Sequence, residues 1–256
     1  MKQKSLILFL LIFTLSACSK SDPILPGIRT PVFDTSSKSA ILGNISKNIV
    51  IDGFNRIKNP EQQKKYKQNL NNEIFEELAD GEKRKIFSGF PTDVKIDIPR
   101  TPLFYKNFVY AGLTTGELVK INPKTRNVEW VVDIYKSIDM LSVNSVLDIV
   151  APLVIDEGRL FVGGVGRAFC QVNISNGDKK WCADISVVTP FLIAGDLAFV
   201  VGTDLNLYAL DTKTGGIYWI VKVKKSTMPK IQLIDDKYIL IVGNQKIDII
   251  TGVIDD

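Results

Sequence analysis

One stretch in the second half of the chain decides the fold: Thr203-Asp-Leu-Asn-Leu-Tyr-Ala-Leu-Asp-Thr-Lys-Thr-Gly-Gly-Ile-Tyr-Trp219. Its alternating apolar residues predict one short strand that ends at Asp211 and a second that passes through Trp219. Between them, Asp211 can accept hydrogen bonds from the backbone of a turn, and Gly215 tolerates a positive φ. The stretch therefore predicts two antiparallel strands joined by a tight hairpin.

The same pattern recurs along the second half of the chain. In three repeats the residue that opens the turn precedes a tryptophan by eight positions: Asn122 and Trp130, Asn173 and Trp181, and Asp211 and Trp219. All three tryptophans of the protein therefore share one repeat position. A fourth, shorter repeat carries the turn Asp248-Ile-Ile-Thr-Gly252. Strand-closing glycines follow one another at intervals of 51, 39 and 41 residues: Gly112, Gly163, Gly202 and Gly243.

A repeat of about 40 residues with four short strands is typical of a β-propeller blade. We therefore predict an all-β fold, a β-propeller of about four four-stranded blades in residues 92–256. A single blade cannot bury both of its faces, so each must pack against its neighbour. Trp130, Trp181 and Trp219 are predicted to dock on the next blade, each burying roughly 150–250 Å², rather than to contact a ligand.

The ends of the repeat region predict how the propeller closes. Asp248 stands where Asp211 stands in the preceding repeat, so the tryptophan position falls on the last residue, Asp256. The fourth blade would then lack its outer strand, which Val94-Lys-Ile-Asp-Ile98 is predicted to supply by pairing with residues 252–254. Such pairing would satisfy an open sheet edge. The alternative is an open arc of blades, or a fragment that needs a second chain.

Residues 18–91 differ from the repeats and are predicted to form a tether followed by an irregular, partly helical segment. Asp22 to Phe33 contains three prolines, which suits an extended tether. Pro60 to Lys85 is rich in Gln, Lys, Asn and Glu, and predicts one polar helix that begins near Pro60 and stops at Gly81. Its charges are interpreted as a solvated face, with a docking role as the alternative.

The first 17 residues have the anatomy of a signal peptide. Lys2 and Lys4 precede the apolar run from Ser5 to Leu15, which is too short to span a bilayer. Leu15-Ser-Ala-Cys18 resembles a bacterial lipobox, which implies cleavage before Cys18 and attachment of lipid to its thiol. Ser19 after that cysteine favours the outer membrane by resemblance to enterobacterial lipoproteins. The alternative is an ordinary secretory signal that ends near a cysteine.

The two other cysteines occupy paired strands of one hairpin. Cys170 lies three positions before Asn173 and Cys182 lies one position after Trp181, where the first repeat has Val119 and Val131. Residues placed in this way face each other across two strands, so in an oxidising compartment they are predicted to form a disulfide. The alternative is two small buried apolar residues.

An unusually apolar insert, residues 135–150, separates the first two repeats. It is predicted to cover one face of the propeller. If part of it is exposed, Leu141 and Val146 become the leading partner-binding residues.

Composition limits the chemistry. The chain contains no histidine, which excludes His-dependent catalytic triads and His metal sites. The formal net charge of +4 comes without a long basic patch, so nucleic acid is not an expected partner. We predict no catalytic residues, no metal site and no cofactor.

The repeat Gly-x-Leu-x-x-Ile/Leu-Asn/Asp, followed by x-x-Thr-Gly and Trp, resembles the PQQ-type propeller repeat over residues 92–256. With the lipobox and Leu25-Pro-Gly-Ile-Arg-Thr-Pro-Val32, the chain resembles the BamB family, and its Leu-Pro-Gly segment resembles the alphaproteobacterial branch. The resemblance implies a lipid-anchored scaffold on the periplasmic face of the outer membrane, which binds an outer-membrane β-barrel assembly protein and aids assembly of β-barrel proteins. Family members have eight blades, whereas four repeats are counted here.

Three other interpretations stay open from the sequence. The first is a general periplasmic binding lipoprotein, and the second is a degenerate remnant. The third, a PQQ-dependent dehydrogenase-like enzyme, implies a calcium held by carboxylates and an adjacent pair of cysteines, and no Cys-Cys pair occurs in the chain. Isolated carboxylates such as Asp133, Asp184 and Asp196 are expected at turns and strand ends.

Overall fold

The computed structural model describes residues 65–135, 146–224, 231–234, 238–241 and 245–255. These residues form β-strands and turns, with no helix among them. Four four-stranded antiparallel sheets follow one another along the chain, as the repeats predict, and a three-stranded sheet precedes them. The all-β prediction and the four four-stranded sheets are therefore confirmed for the described residues, while the three-stranded sheet is an addition that the repeats do not predict.

Each sheet is built from strands that are consecutive in sequence, and the strands that begin the four-stranded sheets are short. The first sheet contains β1 (Tyr66–Gln68), β2 (Glu73–Glu77) and β3 (Lys83–Ser88). The second contains β4 (Leu103–Tyr105), β5 (Phe108–Gly112), β6 (Glu117–Asn122) and β7 (Asn127–Asp133). The third contains β8 (Val154–Asp156), β9 (Arg159–Gly164), β10 (Ala168–Asn173) and β11 (Lys179–Ala183). The fourth contains β12 (Leu192–Ala194), β13 (Leu197–Val201), β14 (Asn206–Asp211) and β15 (Ile217–Lys222). The fifth contains β16 (Ile231–Ile234), β17 (Tyr238–Ile241), β18 (Gln245–Asp248) and β19 (Ile254–Asp255).

The turn before the outermost strand has the chemistry that the repeat predicts. In the fourth sheet, Asp211 Oδ1 accepts hydrogen bonds from the backbone N–H groups of Lys213 at 2.7 Å and Thr214 at 3.0 Å. Gly215 follows with a φ of 74°, a conformation that residues with a Cβ adopt rarely. Asp248 and Gly252 repeat this geometry in the fifth sheet.

Consecutive sheets pack face to face, because their middle strands are apolar on both faces. In β5, Val109 and Ala111 face the first sheet, while Tyr110 joins the core shared with the third sheet. In β9, Leu160 and Val162 belong to the core shared with the second sheet, while Phe161 packs toward the fourth. Strands buried on both faces carry continuous apolar runs rather than alternating ones. The four cores therefore join the five sheets in sequence order.

The predicted helix is wrong for the part of residues 60–85 that the structure describes. Residues 66–88 form the first sheet, whose Tyr66, Ile74 and Ile86 are buried against the second sheet. The polar residues interpreted as a solvated helix face pair across the strands instead: Lys67 with Glu77, and Lys85 with Glu73. Strands that carry such charge pairs show little alternation of apolar and polar residues. The sequence pattern therefore does not distinguish these strands from a polar helix. Among the described residues, the first strand therefore starts at Tyr66, ahead of residue 92, where the repeat region is predicted to start.

Closure by residues 94–98 is not confirmed. These residues form no strand in the structure, and the backbone N–H of Ile96 donates to Asp148 Oδ2 at 2.8 Å. The fifth sheet receives its fourth strand from its own repeat, because β19 pairs with β18.

Candidate functional site

The three tryptophans dock on the turn of the following sheet. Trp219 is 8% exposed, and its Nε1–H donates to the carbonyl of Ile249 at 3.0 Å. Equivalent hydrogen bonds join Trp181 to the carbonyl of Thr212 at 3.0 Å and Trp130 to the carbonyl of Ile174 at 3.3 Å. All three are thus placed at sheet–sheet boundaries, where the indole ring supplies apolar area and its N–H a single polar contact.

The glycine of each docked turn is required by the tryptophan that covers it. A Cβ built at Gly252 would lie 2.7 Å from Cδ2 of Trp219, and one built at Gly215 would lie 2.6 Å from Cδ2 of Trp181. The turn of the second sheet has Arg126 at the corresponding position, with a φ of 62°. That turn follows the first sheet, and no tryptophan precedes Trp130 in the chain. Glycine and tryptophan therefore occur as a matched pair.

Cys170 and Cys182 are directly opposite each other in β10 and β11. Their Sγ atoms are bonded in the structure, and their Cα atoms are 4.1 Å apart. Cys170 is fully buried, while Cys182, on the outermost strand, is exposed. The bond links the strand that carries Trp181 to the interior of its own sheet.

The described end of the insert packs beside the end of β5 and the turn that follows β9. Ile149 is buried and its side chain occupies the space beside Gly112, where a Cβ would lie 2.2 Å from Ile149 Cγ2. Leu147 packs beside Gly166, and Val146 is partly buried. Leu141 lies outside the described residues. The covering of one propeller face by this insert and a partner-binding role for Leu141 and Val146 both stay predictions.

A buried ion pair fixes this insert to the connection between β3 and β4. Nη2 of Arg100 lies 2.7 Å from Oδ1 and 2.6 Å from Oδ2 of Asp148, and the two side chains are 5% and 0% exposed. Arg100 also donates to the carbonyls of Ile96, Ile98 and Ile149. A buried charge requires several hydrogen bonds of this kind to offset its loss of hydration. Sequence reasoning missed this pair because its members are 48 residues apart.

Burial and neighbouring groups shift the pKa values of Tyr135 and Glu76. Burial, with the negative charges of Asp148 and Asp133 acting in the same direction, raises the pKa of Tyr135 well above its ordinary value. Burial opposes ionisation of Glu76, but hydrogen bonds from Lys65 and Arg84 outweigh it and lower the pKa of that carboxyl. Tyr135 therefore stays neutral and Glu76 ionised near pH 7.

A second buried polar side chain fixes the start of the same connection. Asn72 is fully buried, has a φ of 61°, and donates from Nδ2 to the carbonyl of Phe90 at 2.7 Å and to Thr114 Oγ1 at 2.8 Å. Its Oδ1 accepts from the backbone N–H of Thr114 at 2.9 Å. Phe90, just beyond this contact, is 81% exposed. Sequence reasoning did not single out either residue, because neither belongs to the repeat.

The predicted turn and strand-end positions of three carboxylates are confirmed. Asp133 Oδ1 accepts from the backbone N–H of Tyr135 at 2.9 Å. Asp184 forms an ion pair with Arg167, and Asp196 forms one with Lys213. In the part of the chain that the structure describes, no group of three or more Cys, Asp or Glu side chains is arranged to hold a metal ion.

Comparison with known families identifies the repeat. A family profile described as outer membrane protein assembly factor BamB matches residues 86–221, from within β3 to within β15. A curated relative, the outer membrane protein assembly factor BamB of Kangiella koreensis, is 23% identical over 111 residues. The match covers 43% of this chain and 29% of the relative, so the chain spans less than a third of the relative's length.

Two solved structures are similar. BamB from Moraxella catarrhalis gives a TM-score of 0.49 at 16% identity, with 74% of this chain and 56% of that chain covered. A quinohemoprotein alcohol dehydrogenase from Pseudomonas putida HK5 gives a TM-score of 0.53 at 14% identity, with 74% and 39% covered. The likeness to the dehydrogenase shows a shared fold alone. The family match spans more than half of the chain and includes its second and third sheets and nearly all of its fourth, so the chain belongs to the PQQ-repeat family of the outer membrane protein assembly factor BamB.

Proposed function

We propose that this protein is a non-catalytic scaffold on the periplasmic face of the outer membrane, where it binds a β-barrel assembly protein and aids the assembly of β-barrel outer-membrane proteins. One observation carries the proposal: the profile of an assembly factor matches residues 86–221, which include the second and third sheets and nearly all of the fourth. Sheets joined by tryptophan docks and four continuous cores make a stiff body. Loops on a stiff body are suited to partner binding.

The anchor in this proposal is lipid on Cys18, which lies outside the described residues. Several buried acyl chains hold a protein firmly at a membrane, since each buried CH₂ contributes about 0.8 kcal/mol. No helix in the described part of the chain is long and apolar enough to cross a membrane.

The non-catalytic part of the proposal rests on the chemistry of the available groups. A quinone cofactor with calcium, as the PQQ-type fold implies for dehydrogenases, requires clustered carboxylates. The described carboxylates do not form such a cluster, and those at turns are engaged in ion pairs or caps. The described residues therefore do not fit that group.

Affinity purification tests the proposed partner. The full-length chain with a C-terminal tag is expressed in its native host, and outer membranes are solubilised in mild detergent. We expect the host's β-barrel assembly protein to be enriched at least about tenfold over a tagged, unrelated outer-membrane lipoprotein, since a complex that survives dilution requires roughly micromolar affinity or better. Enrichment equal to that of the control lipoprotein would contradict the proposed partner.

A further inference from the structure

Phe90 is the most exposed large apolar side chain in the described residues, at 81%, and Val94 follows at 64%. Both lie in the connection between β3 and β4, four residues apart. Single exposed apolar residues are common on protein surfaces and need no explanation. The arrangement here is different because the backbone that carries the two side chains is held at several points by hydrogen bonds.

The first point is at Phe90 itself. The buried Asn72 amide donates to the Phe90 carbonyl at 2.7 Å, and the N–H of Gly89 donates to the Asn72 carbonyl at 2.9 Å. A Cβ at Gly89 would lie 3.0 Å from Asn72 Cβ, so the chain passes the asparagine closely. Because Asn72 is also bonded to Thr114, the position of Phe90 is tied to both the first and the second sheet.

Further contacts hold the segment around Val94. Thr92 Oγ1 donates to the Val94 carbonyl at 2.9 Å. Two residues later, the N–H of Ile96 donates to the buried Asp148 carboxylate, which Arg100 neutralises. Phe90 and Val94 are therefore presented outward from a fixed backbone. A surface fixed in advance loses little conformational entropy when it binds, which favours affinity.

Charge defines the surroundings of the two apolar side chains. Asp93 and Asp97 are both exposed in the same segment. Lys95 is partly buried, and its Nζ donates to Asn71 Oδ1 at 3.1 Å. With two aspartates and one lysine, residues 90–98 carry a formal net charge of −1, and both aspartates are exposed. Anionic lipid headgroups would repel them, whereas basic side chains of a protein would attract them.

We propose that Phe90 and Val94 form a docking prong that inserts into an apolar socket of the partner protein, with basic side chains at the rim of the socket facing Asp93 and Asp97. This inference rests on the proposed function and names the surface through which that function operates. Exposed aromatic residues that enter a pocket are typical of interface hot spots.

Paired variants of the tagged full-length chain test the prong. Phe90→Ala/Val94→Ala should lower co-purification of the β-barrel assembly protein at least about tenfold, because a few anchoring side chains carry most of the binding free energy of an interface. The control is Ile220→Ala, which truncates an exposed apolar side chain on β15, away from the β3–β4 connection. Ile220 is 52% exposed. This control should leave co-purification unchanged. Both variants should keep the wild-type melting temperature, since substitutions of exposed side chains seldom change stability measurably.

Photo-crosslinking in cells supplies a second readout. Phe90 is replaced by p-benzoyl-phenylalanine, and Ile220 is replaced in the same way as control. We expect an adduct with the assembly protein from position 90 that is at least about tenfold stronger than that from position 220.

The possible outcomes separate the inference from the function. If the wild-type chain captures the assembly protein and the Phe90→Ala/Val94→Ala variant captures it equally well, the prong is wrong and the function stands. If the wild-type chain captures none, the function and the prong both fail. An adduct of twice the chain's mass would identify a second copy as the occupant, and a lipid adduct would identify the bilayer. Either of these results overturns the prong.

Discussion

Replacing Trp219 with alanine is expected to lower the free energy of unfolding by about 3–5 kcal/mol. Trp219 is 8% exposed, packs beside Phe199, and donates to the carbonyl of Ile249 in the fifth sheet. Alanine leaves a cavity over the turn at Gly252 and an unpaired carbonyl beneath it. The cavity and the unpaired carbonyl both add to the free energy lost with the apolar burial. The total is large because each sheet in an array is stabilised mainly by its neighbour.

Chemical denaturation of the purified protein, followed by circular dichroism, measures this change. The matched control is Ile220→Ala on the same strand, whose side chain is 52% exposed. That substitution should change the free energy of unfolding by no more than about 0.5 kcal/mol. Equal effects of the two substitutions would mean that Trp219 does not dock the fourth sheet on the fifth.

Replacing Arg100 with methionine is expected to destabilise the protein by about 3–5 kcal/mol, since it leaves the carboxylate of Asp148 buried without its cation. Asp148 is 0% exposed, and among the described residues its remaining hydrogen-bond donor would be the N–H of Ile96. The loss should be smaller in the Arg100→Met/Asp148→Leu variant, because replacing both members of a buried pair by apolar residues is often nearly neutral.

The control for Arg100 is Arg167→Met, which breaks the exposed ion pair with Asp184. Those two side chains are 71% and 60% exposed. Exposed pairs contribute about 0–1 kcal/mol, so this variant should melt close to the wild type. Thermal unfolding compares the variants under one buffer. If Arg100→Met costs no more than Arg167→Met, the buried pair is not what holds the insert to the β3–β4 connection.

The repeating sheets were predictable from sequence because each repeat carries its own local signals. Asp211 and Gly215 specify a turn within five residues, and the recurrence of Trp181 and Trp219 at one position marks a shared packing role. The structure adds the reason for the glycine, since Gly215 and Gly252 lie directly beneath a tryptophan. Arg126 occupies the same turn position where the preceding sheet has no tryptophan, so glycine is found only where a tryptophan covers the turn.

The parts that sequence reasoning missed depend on contacts between distant residues. The first sheet has charged residues where strands usually alternate, and its pairing of Glu73 with Lys85 shows only in the folded chain. Asn72 and Thr114, at 42 residues apart, and Arg100 and Asp148, at 48, carry no local signature. The exposure of Phe90 gains significance only in the folded chain, because these two pairs of polar residues fix the backbone of the segment that carries it.

The central claim, that this chain aids the assembly of β-barrel outer-membrane proteins, is tested most directly by deleting its gene and measuring the folded fraction of an abundant barrel protein. Folded and unfolded barrels separate on gels run without heating. We expect the folded fraction to fall in the deletion strain and to recover with the wild-type chain, but to recover less with the Trp219→Ala variant at matched abundance. An unchanged folded fraction and unchanged barrel abundance after deletion would contradict the claim.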